Sequence, residues 1–216
     1  MDFNLALRNV LLLREGLECT VALAALSLAG AAIGGLVVMS ARRSRYRAPR
    51  AVALAYIEVM RNTPIMVQIF VLYFGLPSIG LFPSAFASAV IALVMQNSAY
   101  VGEIYRAGVE SIRRVQTEAA LALGMRPRVA LAYIIFPQAI SHVLPALGSQ
   151  AVAILKDTSI ASTIAVAELT HSGKLLLDRS AAPYETFLAV GLLYLALSAT
   201  VLGAMKLIAL RLPVRT

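Results

Sequence analysis

The chain is poor in charge, in histidine and in cysteine, and it has no tryptophan. Only 14% of its 216 residues are charged, against 60% hydrophobic. An ordinary soluble domain carries about 25% charged residues. With a mean hydropathy of +0.81, there is too little polar surface here to cover a water-soluble fold. That excludes a soluble enzyme, a disordered tail and a collagen-like scaffold. A single cysteine, Cys19, excludes an intrachain disulfide. It lies in an apolar stretch without a nearby base and reads as packing, not as a nucleophile. No Cys/His cluster suggests a metal. No GxxxxGK[ST] pattern occurs, so the chain lacks the phosphate-cradling loop that ATP chemistry needs. The N-terminal stretch from Met1 to Thr20 has an acid at Asp2 and no small-residue cleavage site, so it does not read as a signal peptide. What remains is an all-α integral membrane protein, with residues 1–216 as one domain.

What the chain does have is long uncharged runs. A helix needs about 20 apolar residues to cross the hydrocarbon core. Cys19–Ala41 is uncharged throughout, exceeds that length and gives the first span. The next uncharged run, Asn62–Gly102, is long enough for two crossings. The Gly- and Pro-rich segment Gly75–Pro83 marks the reversal between them. The second span is expected to begin near Val52, with Glu58 and Arg61 facing one another at i, i+3 in its first turns. The third covers about Ser84–Glu103. Val129–Leu155 is also uncharged but contains Pro137 and Pro145, so the fourth span is placed at about Gln138–Leu155. Thr186–Met205, uncharged and just long enough to cross, gives the fifth.

The net charge of +8 invites a nucleic-acid reading. The arginines cluster beside apolar spans, however, as the positive-inside bias of membrane loops requires. Counted over alternate loops, 14 cations fall on one side. They are Arg42, Arg43, Arg45, Arg47, Arg50, Arg61, Arg106, Arg113, Arg114, Arg126, Arg128, Lys206, Arg211 and Arg215. Only 4, Arg8, Arg14, Lys174 and Arg179, fall on the other, and Lys156 stays within a span. The richer side is expected to be cytoplasmic, with the N-terminus outside and the C-terminus inside. Nucleic acid is not expected as a partner.

The longest loop, residues 106–137, lies on that cytoplasmic side. Glu118–Leu123 is a strong helix former. Gly124 suits a left-handed helix end, and Pro127 suits the start of a second helix. Ala119, Ala120, Ala122 and Gly124 leave a smooth surface that another protein's backbone can approach. Taken alone, these residues fit a docking knob and a plain surface helix pair equally well.

Here a resemblance enters. Glu118-Ala119-Ala120, Gly124, Ile134 and Pro137 stand at the spacing of the EAA motif of ABC importer permeases, with Phe136 in place of the usual leucine. Several further stretches resemble the polar amino-acid branch of that family. They are Arg61-Asn62-Thr63-Pro64, Val67-Gln68, Tyr73-Phe74-Gly75-Leu76-Pro77, Asn97-Ser98-Ala99-Tyr100 and Leu155-Lys156-Asp157-Thr158-Ser159. The resemblance implies the five-span type I importer fold in a bacterial inner membrane. Its loop 106–137 would carry a coupling helix, with Glu118, Ala119, Ala120 and Gly124 at the ATPase interface. Implied partners are a cytoplasmic ABC ATPase dimer that binds ATP and Mg, a second permease that is identical or paralogous, and a periplasmic solute-binding protein. The chain itself would hold no cofactor and would not be an enzyme. The cargo would be a polar amino acid, moved inward by alternating access. An opine or an organic sulfur compound is the alternative cargo, and a stand-alone secondary transporter the alternative class, although no convincing internal repeat supports the latter.

Polar residues within spans are costly and mark function by default. The substrate-pathway candidates are Asn97, Ser98, Asp157, Thr158 and Ser159. An amino acid carries an ammonium and a carboxylate, so its site needs an acceptor and a donor in a wet cavity. Asp157 with Thr158 and Ser159 can accept an ammonium, or Asp157 can cap the helix that follows. Asn97 and Ser98 can meet substrate or tie helices together. Glu103 is expected to pair with Arg106 at i+3. Gln68, Gln96 and Gln150 are further polar span residues. Lys156 is expected to snorkel, and His142 and His171 read as ordinary residues.

Overall fold

The computed structural model describes residues 3–112, 114–180 and 182–211. Arg113 and Arg215, two of the cations counted above, lie outside the described residues, as do Met1 and Asp2. The described chain is helical. Helix α1 is Phe3–Arg42, α2 is Arg47–Asn62, and α3, Ile65–Phe70, runs on through wider and tighter turns to Ile79. Then come α4, Ala85–Ser111, α5, Arg114–Ala122, and α6, Pro127–Ala130. Helix α7, Phe136–Asp157, continues as a tight helical turn to Ile164, and α8, Leu169–Ser180, and α9, Pro183–Arg211, complete the fold.

Four segments are long and apolar enough to cross a membrane: Val10–Arg42, Ala85–Ser111, Gln138–Ile164 and Pro183–Leu210. The bent pair Arg47–Asn62 and Ile65–Ile79 is the fifth candidate. The expected spans are therefore present, with two differences. Helix α1 begins at Phe3, well before Cys19, because Arg14 and Glu18 form an ion pair at i, i+4 (2.9 Å) on an exposed face and do not interrupt it. The second span is not straight. It bends by 104° between α2 and α3, where Thr63 and Pro64 leave helical geometry with ψ near 130°. Proline disfavours a helical conformation in the residue before it.

One expected contact within α2 is not made. Glu58 and Arg61 do not face one another. The Asn62 side-chain amide donates to Glu58 Oε2 at 3.0 Å, and the Arg61 guanidinium lies over the Tyr100 ring, 4.9 Å from its centre. The reversal after α3 is where the glycines and prolines place it. Gly80 takes a left-handed φ of 83°, and Ser84 Oγ caps α4 by accepting from the Ala87 N–H at 3.2 Å.

Helix α4 forms the centre of the bundle, packed against α1, α2, α3 and α7. Between apolar helices in lipid, close packing replaces the hydrophobic effect as the driving force. The α1–α4 seam meets that demand with small residues. A Cβ added to Gly34 would land on Ser98, and one added to Gly102 would collide with Val38. Ala89, Ala92 and Ala99 on α4 are fully buried. Near one end of the seam a cluster forms from Leu23, Ile69, Leu93 and Ile164, drawing α1, α3, α4 and the turn after α7 together. At the other end Ile112 packs against Ile135 and Ala139, fixing the segment that carries α5.

Candidate functional site

The loop between the third and fourth spans folds as its residues require. Helix α5 closes with paired hydrogen bonds. The Gly124 N–H donates to the Leu121 carbonyl (2.9 Å) and the Met125 N–H to the Ala120 carbonyl (3.1 Å). This arrangement needs a left-handed residue at its corner, and Gly124 supplies it with φ 80°. Pro127 then opens α6, where its missing N–H costs nothing. Ala120 is buried, while Glu118, Ala119 and Gly124 are exposed. Leu123, 84% exposed, projects from the corner. A groove of ≈ 390 Å³ runs between this hairpin and the start of α7, lined by Ala119, Ala120, Leu123, Met125, Ile134 and Gln138. The knob therefore offers one carboxylate, an alanine surface and an apolar tip.

Within the spans the polar residues divide into three groups. The first repairs the break at Pro64. Proline has no N–H for the Met60 carbonyl, and the extended Thr63 leaves its own carbonyl free as well. The Gln68 amide donates to both, at 3.1 Å each, and the Gln96 amide donates to both, at 3.3 and 3.1 Å. Two side-chain amides supply four hydrogens to two carbonyls with four lone pairs. Backbone groups at membrane depth must be satisfied within the protein, so these glutamines hold the bend in place.

The second group is the α4–α7 seam. Gln150 Nε2 donates to Asn97 Oδ1 at 2.6 Å, and Asn97 Nδ2 donates back to the Leu93 carbonyl at 2.8 Å. Ser98, next along α4 but facing Gly34 on α1, donates to the Val94 carbonyl of its own helix at 2.6 Å. Both Asn97 and Ser98 are buried. The third group sits at the end of α7. Thr158, fully buried, donates to the Leu155 carbonyl (2.7 Å), and Ser159, half-buried, donates to the Lys156 carbonyl (2.7 Å). Asp157 is half-buried, and its side chain makes no capping hydrogen bond to the turn that follows, so the capping alternative does not hold. Among the described residues no hydrogen bond joins Asn97 or Ser98 to Asp157, Thr158 or Ser159. Glu103 does pair with Arg106, through contacts of 2.8 to 3.1 Å. Lys156 is exposed, and His142 accepts from or donates to Ser111 at 2.8 Å.

One structural residue was not singled out by the sequence reading. Glu168 is fully buried, just outside the fourth span, at the start of α8. Its carboxylate accepts from the N–H groups of Thr170 (2.9 Å) and His171 (2.8 Å) and from the Tyr194 hydroxyl (2.7 Å). Burial raises its pKa, and those donors oppose the rise. Next to it, the buried Thr20 on α1 accepts from the Leu169 N–H at 3.0 Å. Together they pin α8 to α1 and α9. A glutamate immediately before a helix start is a readable cap signal, but its tie to Tyr194 on a different helix is not.

Such a chain is a polytopic helical membrane protein, with a folded helical hairpin at one end and, among the described residues, no group of side chains able to hold a metal. Comparison with known proteins narrows the class. The chain belongs to the family of binding-protein-dependent transport system inner membrane components, whose match covers residues 20–213. It is 38% identical over 189 residues to the glutamine transport system permease protein GlnP of Escherichia coli, covering 87% of this chain and 86% of that one. It is 34% identical over 205 residues to the nopaline transport system permease protein NocM of Agrobacterium fabrum, covering 90% and 85%. Among solved structures, an amino acid ABC transporter superposes with a TM-score of 0.90 at 34% identity, over 98% of this chain and 99% of that one. The MetNI methionine transporter shares the fold, with a TM-score of 0.77 at 16% identity, over 94% and 97%. The chain is thus an ABC importer permease of the inner membrane, and ATP hydrolysis belongs to a separate subunit.

Proposed function

We propose that this permease carries a polar amino acid into the cytoplasm, and that residues 106–137 form its coupling loop within a single permease domain of residues 1–216. Glu118, Ala119, Ala120 and Gly124 then sit in a cleft of the partner ATPase, which holds ATP and Mg. The observation that carries this reading is the glycine-closed helix α5, which bares Glu118 and Ala119 beside a short groove. The amino-acid cargo is supported by the names of the relatives. The excess of cations on the loop side supports a cytoplasmic knob and C-terminus, with the N-terminus outside. A second permease, identical or paralogous, completes the pathway, and a periplasmic binding protein delivers the solute. Asn97, Ser98, Asp157, Thr158 and Ser159 are the pathway residues of this chain. In each cycle ATP closes the two ATPases, the cleft moves the knob, and the permeases rock to open outward. Hydrolysis resets the inward-facing state.

The nopaline permease among the relatives favours an opine as the second reading of the cargo. Uptake into sealed vesicles decides both questions. ATP-driven uptake of an amino acid without an ion gradient is expected, and competition by unlabelled opine separates the cargoes. Glu118→Lys reverses the charge at the knob and is expected to lower ATPase co-purification and transport together. Full co-purification with normal transport in that variant overturns the loop assignment.

A further inference from the structure

The end of α1 carries a cationic pocket that none of the proposed pathway residues lines. Arg42, Arg43 and Ser44 at the close of α1, Arg50 in the first turn of α2, and Arg106 and Glu110 of α4 surround a cavity of ≈ 290 Å³. Four arginines face it against one lining glutamate. Two of the four are not neutralised. The Arg43 and Arg50 side chains are exposed and make no hydrogen bond or ion pair among the described residues. Arg42 Nε is shielded from solvent and has no hydrogen-bond partner. The nearest carboxylate oxygen, Glu103 Oε1, stands 4.0 Å away and is already engaged by Arg106. Arg106 itself is held by Glu103 and Glu110. With Glu103 included, the site still keeps an excess of two positive charges. Guanidinium donors without partners suit a phosphate, which offers several acceptor oxygens to their planar fork.

A second cavity adjoins the first on both helices. It occupies ≈ 500 Å³ between α1 and α2 and is lined mainly by apolar side chains, among them Val37, Ala41, Pro49 and Val52, with Tyr56 and with Ser98 of α4. Ala41 precedes Arg42, and Pro49 precedes Arg50. Val37 and Val52 are 65% and 70% exposed. The α1 wall of this groove lies within the span Val10–Arg42, whose end is Arg42. A cationic pocket at the close of a span, with a hydrocarbon groove running back into it, matches a molecule that has an anionic head and an apolar tail.

We propose that this site binds one anionic phospholipid, its phosphate among Arg42, Arg43 and Arg50 and an acyl chain along the α1–α2 groove. Basic residues next to a membrane surface attract anionic headgroups. The groove selects the lipid over a free phosphate. The bound lipid braces the end of α1 against the first turns of α2.

The test uses the permease purified with its partner subunits in phosphatidylcholine nanodiscs. Phosphatidylglycerol of the same acyl length is titrated in, and retained lipid is counted by native mass spectrometry. Glycerol 3-phosphate is the head-only competitor. Phosphatidylglycerol is expected to bind at least about tenfold more tightly than phosphatidylcholine, with one molecule retained per chain. Arg43→Gln with Arg50→Gln is expected to weaken it about thirtyfold, at about fivefold per arginine. Arg50→Gln alone is expected to weaken it about fivefold. Both side chains are exposed and unbonded, so neither change should disturb folding. Val37→Ser with Val52→Ser is expected to weaken both lipids, and Arg14→Gln, away from the site, neither. Equal binding of the two lipids overturns the proposal, as does wild-type affinity in the arginine variants or an equal loss in Arg14→Gln. Glycerol 3-phosphate competing as well as the lipid would reduce the site to a simple anion pocket and overturn the acyl-chain assignment.

Discussion

The bend at Pro64 makes a quantitative prediction about two glutamines. Gln68 and Gln96 donate to the same two carbonyls, those of Met60 and Thr63. Losing either glutamine leaves each carbonyl one donor. Losing both leaves each with none, and a buried polar group without a partner costs about 1–3 kcal/mol. Gln96→Leu alone should therefore cost about 1–2 kcal/mol as two hydrogen bonds are lost. Gln68→Leu alone should cost less, because Gln68 Oε1 is itself buried without a partner and the substitution removes it. The double variant should cost about 2–6 kcal/mol, at least about 1 kcal/mol more than the two singles together. Reversible unfolding of the purified permease in mixed micelles, by titration with sodium dodecyl sulfate, gives the four free energies of the cycle. Adding Pro64→Ala to the double variant restores an N–H four residues after Met60 and should recover part of the loss. Additive or sub-additive costs would refute the view that these side chains exist to satisfy the broken helix.

Three further outcomes follow from the geometry. Gly34→Ala places a methyl group on Ser98. It should cost about 1–3 kcal/mol of stability, and Ser98→Gly in the same chain should restore most of it; no rescue would mean that the α1–α4 seam is looser than described. Gly124→Val puts a β-branched residue at φ 80° in open space. The cost is strain alone, about 1–2 kcal/mol, confined to the knob. Transport should fall, Gly124→Asn should fall less, and global unfolding should be unchanged by circular dichroism. Glu168 has a pKa raised by burial above the ordinary 4.5, so the folded state holds its proton more tightly than the unfolded one. Its contribution is then greatest below the ordinary value and is lost as pH rises through the raised one. Wild-type stability should decline with rising pH across the weakly acidic range, and Glu168→Gln should flatten that decline. Parallel profiles would contradict the assigned burial.

Much of this protein follows from neighbours in the sequence. Uncharged runs of membrane length, the Gly75–Pro83 reversal and the Gly124–Pro127 corner are local signals. They were legible because backbone propensity and transfer free energy act residue by residue. The Glu103–Arg106 pair was legible from its i, i+3 spacing on α4. The Glu58–Arg61 pair was not. It rested on the same spacing, but Arg61 turns to Tyr100 on another helix and Glu58 to Asn62. The glutamines could be flagged as polar residues within spans, yet nothing local says that Gln68 and Gln96 converge on the same two carbonyls. Their convergence depends on how α3 and α4 pack once Pro64 has bent the chain. The Glu168–Tyr194 tie, the Asn97–Gln150 bond and the alignment of the arginine pocket with the α1–α2 groove have the same origin. The sequence by itself determined the five apolar spans, the turns at Gly75–Pro83 and Gly124–Pro127, and residence in a membrane. Tertiary packing alone decided which polar groups meet, because partners far apart in the chain are chosen by the helix faces that come together.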